Sequence, residues 1–316
     1  MMKKNELLQY IVNSKGYAQF PLPWEDIFGR KAPLAVEIGF GNGLFLANWA
    51  IQKPGWNFIG IELSNESVRK LQKHIRQESI SNVRILKEDA GFAIREFFPN
   101  ESLREVVMNF PDPWPKERHR HRRLIKPSFI RSLGSNLEKG GKYSLATDQE
   151  WYARQALEQV RQSVCFRVDP VENNPTNTTN TKYAQKWLNQ SRDIHQLTAI
   201  KLQSATIHRI LEEVNMPHII VDKEINSKMI RQLNGLEKTE SEKLFVVKSV
   251  FKEMDGDLFL LRVVSKDQDY KQSYYITVTP QTKDKWVVKT DAGLPPYPTP
   301  AVKLAVLSIG ERLKKL

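Results

Sequence analysis

The chain has 316 residues, of which 40% are hydrophobic, 27% charged and 9% aromatic, a composition that excludes disorder, collagen and simple repeats and favours a globular protein. Forty-eight Lys and Arg against 36 Asp and Glu give a formal charge of +12, which attracts polyanions such as nucleic acid or acidic membrane without naming one. The single cysteine, Cys165, excludes an internal disulfide. With no His/Cys cluster at metal spacing around it, no metal is expected and a small buried hydrophobe is its ordinary role.

The first segment, residues 1–32, reads as an N-terminal extension. No apolar core of signal-peptide type follows its charges, and no apolar stretch of the chain is long enough to cross a bilayer, so a cytoplasmic protein without membrane contact is expected. Residues 33–205 then alternate short β-rich runs with helix-period segments, the pattern of a mostly parallel sheet covered by crossover helices. The runs are Leu34 to Ile38, Asn57 to Ile61, Val83 to Leu86, Val106 to Phe110 and Tyr143 to Thr147. A helix begins at Leu44. Another starts behind Ser64 as N-cap, with Val68, Leu71 and Ile75 as its apolar stripe. Pro127 to Leu137 opens with proline in its first turn and is expected to stop before Gly140-Gly141. Tyr152 to Val160 is the next helix, and Val171 to Thr181, rich in Asn, Thr and Pro, is expected to be a mobile loop.

Residues 206–316 change character and read as a smaller C-terminal α+β domain of open role. A short helix is expected over Ile207 to Val214. The runs Leu244 to Phe251, Leu258 to Val264, Tyr274 to Val278 and Trp286 to Val288, punctuated by turns such as Asp255-Gly256-Asp257, predict an antiparallel meander. Ala301 to Leu316 closes the chain as a helix. Residues 216–316 hold 17 Lys and Arg and 13 Asp and Glu, so this part carries a share of the positive charge, and both RNA docking and stabilisation of the fold are open to it.

The residues that carry chemistry lie at strand ends. After the first run comes Glu37-Ile38-Gly39-Phe40-Gly41-Asn42-Gly43, a turn whose glycines let the backbone approach a ligand and leave helix N-terminal N–H groups free. A dinucleotide fingerprint requires Gly-x-Gly-x-x-Gly, and the spacing here differs, which speaks against a nicotinamide dehydrogenase. Glu-x-Gly-x-Gly-x-Gly resembles the first motif of class I S-adenosylmethionine methyltransferases. Glu62 closes the second run 25 residues after Glu37, where a carboxylate accepts ribose hydroxyls. Asp89 follows the third run, where that superfamily contacts the adenine amine. Taken singly, each acid has a solvated strand end as its ordinary explanation. Three at successive strand C-termini mark the edge where open α/β sheets bind ligands.

The fourth run leads into Asn109-Phe110-Pro111-Asp112-Pro113-Trp114-Pro115-Lys116, a stiff loop holding one carboxylate and one indole. It then turns basic, with Lys116, Arg118, Arg120, Arg122, Arg123, Lys126 and Arg131 against the single acid Glu117. A charge run is ordinarily a solvated face. At the ligand edge of a sheet it reads as phosphate binding, with Arg118, Arg122 and Arg123 the candidates.

Asn-Phe-Pro-Asp-Pro-Trp-Pro-Lys-x-Arg-His-x-x-Arg-Arg-Leu, together with Leu145-Ala146-Thr147-Asp148, resembles the bacterial tRNA (guanine-N7-)-methyltransferase family, TrmB type, over roughly Val36 to Lys201. The resemblance implies a Rossmann-like α/β fold with helices on both sheet faces, S-adenosylmethionine as cofactor, and tRNA as partner, methylated at a variable-loop guanine. It also implies that Glu37, Gly39, Gly41, Glu62, Asp89 and Asp112 line the cofactor pocket, that Asp112 is catalytic, and that Lys116, Asp148 and Thr181 reach the substrate. One position departs from the family pattern: Ala184 stands where its last motif has glutamate. A methyltransferase for another substrate and an RNA-binding protein that no longer methylates are the competing readings.

Overall fold

The structure, a computed structural model, describes residues 10–175, 193–211 and 214–316. It divides into two compact units, one of Met1–Ser14 with Pro21–His208 and the other of Lys15–Phe20 with Arg209–Leu316.

In the first unit the order is α1 (Trp24–Phe28), β1 (Leu34–Ile38), α2 (Leu44–Gln52), β2 (Asn57–Ile61), α3 (Asn65–Gln77), β3 (Val83–Leu86), α4 (Ala90–Glu96), β4 (Leu103–Asn109), α5 (Pro127–Asn136), β5 (Leu137–Thr147), α6 (Glu150–Gln162), β6 (Phe166–Val168), β7 (Glu172–Asn173) and β8 (His195–Lys201). The sheet runs β3-β2-β1-β4-β5-β8-β6, with β7 also on β8. Strands β1 to β5 are mutually parallel, and β8 joins β5 antiparallel. All five residues of β1 and of β2 are buried. Successive side chains of a strand point to opposite faces, so both faces of this sheet are covered.

Local chemistry sets the helix starts. Ser64 Oγ accepts from the Ser67 N–H, and Val68, Leu71 and Ile75 are buried behind that cap. Gly43 opens α2 at φ +75°, and a Cβ there would lie 2.7 Å from Leu71 Cβ, so the α2–α3 packing demands glycine. Cys165 is buried, with its side chain against Gly134.

Three sequence expectations are corrected. The chain enters β5 directly after Asn136, and Gly140-Gly141 lie inside that strand at an irregularity in its pairing with β4. A Cβ on Gly141 would meet the Glu138 carbonyl at 2.8 Å and the Leu103 carbonyl at 3.1 Å, so these glycines serve a strand and not a helix stop. Within the expected loop from Val171, β7 pairs with β8 through Glu172–Gln196 and Asn173–His195; the rest of that stretch, with Thr181 and Ala184, lies outside the described residues. Residues 207–211 are not helical. Ile210 and Leu211 are buried there without a helix, and the β-branched side chains of Ile207 and Ile210 give helix formation little support.

The second unit contains β9 (Ile219–Val221), α7 (Ser227–Arg231), β10 (Glu237–Glu240), β11 (Lys243–Lys252), β12 (Phe259–Asp267), β13 (Tyr270–Thr282), β14 (Lys285–Thr290) and α8 (Pro300–Lys315). Its sheet, ordered β10-β11-β12-β13-β14-β9, is antiparallel throughout. Phe245, Val247, Leu261, Val263, Ile276, Val278 and Val288 on its inner face form one core with Val302, Ala305, Val306 and Ile309 of α8. Buried Asp267 accepts the Ala301 N–H at 2.7 Å through Oδ1, satisfying a first-turn donor of α8 that Thr299, at the N-cap, does not reach.

Candidate functional site

The C-terminal ends of β1 to β4 and the loops behind them enclose a cavity of about 360 Å³. Glu37, Gly39, Gly41, Glu62, Asp89 and Asp112 all line it, as do Asn42, Asn109, Trp114, Arg122 and Tyr152.

Glu37 is 2% exposed on β1. Its Oε1 accepts from Asn109 Nδ2 at 3.2 Å, while Oε2 is buried with no hydrogen-bond partner. Burial pushes this carboxyl up from 4.5 to about 8, against the opposing pull of the Asn109 hydrogen bond and the Leu46 amide. An unpaired acid at that depth is costly unless a cationic or donor group joins it. The carboxylate of Glu62 is held differently. Its Oε1 accepts the N–H groups of Leu63 (2.8 Å) and Ser64 (3.0 Å), and Oε2 accepts that of Gly41 at 3.3 Å. A carboxylate has about four acceptor sites, so acceptor capacity remains on Oε2, on the glycine-turn side. Asp89 caps α4, its Oδ1 accepting the Phe92 N–H at 2.8 Å, and the cap leaves Oδ2 for other donors.

The loop after β4 is strained at both ends. Phe110 and Trp114 adopt φ of +50° and +46°, a left-handed conformation that costs a non-glycine residue about 1–3 kcal/mol and persists only where its surroundings enforce it. The enforcing contacts are present. The Phe110 N–H donates to the Ala146 carbonyl at 2.7 Å, and the Trp114 carbonyl receives both Arg123 Nε (3.1 Å) and Nη2 (3.0 Å). Asp112 sits between these two anchors, exposed at the cavity.

The basic run does not act as one surface. Lys116 and Arg118 are exposed and do not line the cavity. Arg122 lines it and stacks over the Trp114 ring at 4.7 Å, while His119 meets the same ring edge-on. Arg123, expected from the sequence among the phosphate ligands, is instead 7% exposed, packed on Trp151 at 4.9 Å and bonded to the Trp114 carbonyl, with Gln155 Oε1 also within reach at 3.3 Å. Its charge faces the loop it holds. Asp148, just past β5, is half-buried, and its Oδ2 accepts from Gln149 Nε2 at 3.0 Å; it does not line the cavity.

Sequence reasoning missed Tyr152 and left Asn109 without a role. Tyr152 comes from α6, and burial pushes its hydroxyl up to about 12, with the Asp112 charge acting in the same direction and Arg123 against it. Only long-range packing brings it to Asp112. Asn109 had a signal: it is the last residue of a strand adjacent to the one carrying a buried acid.

Residues 31–197 match the family described as "Putative methyltransferase". A tRNA (guanine-N(7)-)-methyltransferase of Thermotoga maritima is 40% identical over 307 residues, 96% of this chain and 97% of that protein. A protein of the same name from Thermus thermophilus is 33% identical over 94% of each chain. Another from Bordetella pertussis is 46% identical over 142 residues, 45% of this chain and 56% of that one.

Proposed function

Since this chain belongs to the tRNA (guanine-N(7)-)-methyltransferase family, we propose that it transfers a methyl group from S-adenosylmethionine to N7 of a guanine in tRNA, at the family's variable-loop position. The observation that carries this reading is the cavity ringed by Glu37, Glu62 and Asp89, with Asp112 arriving from the fourth strand.

The residues present fit the cofactor. Glu37 Oε2, buried and unpartnered, suits the ammonium of an amino acid. Glu62 Oε2 faces the glycine turn with acceptor capacity for a ribose hydroxyl, and Asp89 Oδ2 suits an adenine amine. Bound there, S-adenosylmethionine supplies an electrophilic methyl carried on a sulfonium.

Guanine N7 has an in-plane lone pair and no proton, so no side chain need act as a general base. The enzyme's task is alignment, which can supply a large part of the acceleration. Asp112 accepts from the N1–H and exocyclic amine of the guanine and opposes the positive charge that grows on the purine. Arg123, through the Trp114 carbonyl, fixes the loop that presents this carboxylate. Lys116, Arg118, Arg122 and Asp148 meet the polynucleotide around it, with Thr181, which lies outside the described residues, assigned there by resemblance. No helix among the described residues is long and apolar enough to cross a membrane, and the reaction belongs in the cytoplasm with its substrate.

The deciding experiment is methyl transfer from labelled S-adenosylmethionine to unmodified tRNA, followed by nucleoside analysis. Label appearing as 7-methylguanosine is expected; label in another nucleoside, or none, refutes the reading.

A further inference from the structure

In the second unit, the inner face of the antiparallel sheet is closed by α8, and on the outer face several cations of β12, β13 and β14 are exposed while Thr277 and Val287 are buried. Strand alternation that buries Leu261, Val263, Ile276 and Val278 turns Arg262, Lys266, Lys271 and Lys289 outward, where all four are exposed. Lys266 and Lys271 are direct cross-strand partners, Arg262 stands opposite Tyr275, and Lys289 opposite Thr277. Among the described residues, none of these four cations has an ion pair or side-chain hydrogen bond, whereas Lys238, Lys243 and Lys252 of the same sheet each pair with a carboxylate.

Two like charges placed directly opposite each other on adjacent strands destabilise a sheet. Acids stand beside them in the flanking turns, Glu242 ahead of β11 and Asp269 between β12 and β13, and at the margins of the sheet, and among the described residues none of them pairs with these four cations. Glu237 is on outermost β10, and Asp291, just past β14, accepts the Gly293 and Leu294 N–H groups through Oδ1. The face therefore carries four cations without ion pairs, two of them directly opposed at a cost to the sheet, around a half-buried aromatic ring. With rows of outward residues about 7 Å apart, the Lys266–Lys271 pair and Arg262 are separated by roughly 13 Å along the strands, a spread suited to an extended run of phosphates. A second copy of the same face, docked symmetrically, would bring like charges together.

We propose that this outer face, built around Arg262, Lys266, Lys271 and Lys289, is a docking surface for the phosphate backbone of the RNA substrate. The inference rests on the reading of tRNA as substrate. It gives the C-terminal unit a binding role separate from the methyl-transfer cavity.

The test uses the full-length protein with Arg262, Lys266 and Lys271 replaced by Gln, and separately Lys266→Glu, which gives Lys271 an opposite charge across the strands. Binding of an unmodified tRNA transcript is followed by fluorescence anisotropy over a salt series, and S-adenosylmethionine affinity by calorimetry. For the triple variant, tRNA Kd is expected to rise about ten- to hundred-fold near 0.1 M salt, and the slope of log K against log salt to become shallower by about two. For Lys266→Glu, tRNA affinity should fall while Tm holds or rises. That divergence is not what a structural role produces. Cofactor affinity should not move in either variant.

A tRNA Kd and salt slope equal to wild type in both variants overturns the proposal, as does a loss of binding that follows a loss of Tm. Phosphatidylserine vesicles that lose binding while tRNA binding is kept assign the face to a membrane, and a shift only in sedimentation assigns it to a second copy; either overturns it. Wild-type protein that methylates tRNA while the variants bind it normally sinks this inference alone. Wild-type protein that neither binds nor methylates tRNA sinks the functional reading and this inference together.

Discussion

Replacing Glu37 by Gln separates stability from cofactor binding, and the two should move in opposite directions. The carboxyl titrates near 8 in the folded chain because burial disfavours its charge, and near 4.5 when unfolded. A folded value above the unfolded one means that the native state binds more protons between those two values, so stability falls as pH rises through that window. At pH 7 the accumulated cost is roughly 3 kcal/mol, at about 1.4 kcal/mol per pH unit over the interval from 4.5. Glutamine stays neutral, so ligand-free Glu37→Gln should be more stable than wild type at pH 7, by up to roughly that amount, and the two should converge near pH 4. Cofactor binding runs the other way. If the cofactor's ammonium pairs with ionised Glu37, binding at pH 7 strips the proton from a group that is roughly 90% protonated, releasing about 0.9 proton per ligand. Glu37→Gln should release none of these protons and lose about ten- to hundred-fold in affinity, the worth of a hydrogen bond to a charged group. Calorimetry in buffers of different ionisation enthalpy counts the protons, and urea unfolding of the ligand-free proteins measures stability. A wild type that releases no proton at pH 7, or a ligand-free Glu37→Gln no more stable than wild type, refutes the reasoning.

Asp112→Asn should keep the fold and most cofactor affinity while slowing methyl transfer on the order of a hundredfold, since it removes charge opposite a cationic transition state; a single-turnover rate equal to wild type would contradict the role. Arg123→Lys cannot reproduce the two-nitrogen grip on the Trp114 carbonyl, so kcat should fall about tenfold or more with about 1–3 kcal/mol of stability, while Arg118→Ala should raise KM for tRNA and flatten its salt dependence. If both arginine variants alter only the salt dependence, Arg123 is a phosphate ligand after all. Restoring the family's glutamate through Ala184→Glu should raise kcat, because one hydrogen bond to a charged group is worth about 1.5–3 kcal/mol; equal rates for the two proteins would show that this position carries no part of the reaction.

Much of the first unit could be read without coordinates because its signals are short-range. The bounds of β1, β2 and β3 follow directly from runs of β-branched and apolar residues, and the Ser64 cap from one hydroxyl ahead of a 3–4 apolar spacing. The acids at successive strand ends were likewise legible, because parallel connectivity sends every C-terminus to the same edge. Strand β8 was not. It lies well beyond the parallel run in sequence, and only pairing in space inserts it antiparallel between β5 and β6. The glycine pair after α5 was misread because a bulge and a helix stop use the same residue.

The sequence by itself determined which groups are available: a glycine turn behind an acid, a proline-stiffened Asp112 loop, a run of cations, and strands whose alternation sends cations, among apolar and polar neighbours, to one face of the second sheet. These follow from local backbone preference and side-chain chemistry. Tertiary structure alone decided how each group is spent. Burial, which depends on contacts from distant segments, leaves Glu37 without a partner for one oxygen, turns Arg123 from the surface onto the Trp114 carbonyl, and brings Tyr152 to Asp112. Register across β12, β13 and β14 likewise sets Lys266 opposite Lys271. A charged side chain reads the same in sequence whether water or protein surrounds it, and its energy and its chemistry depend on which of the two does.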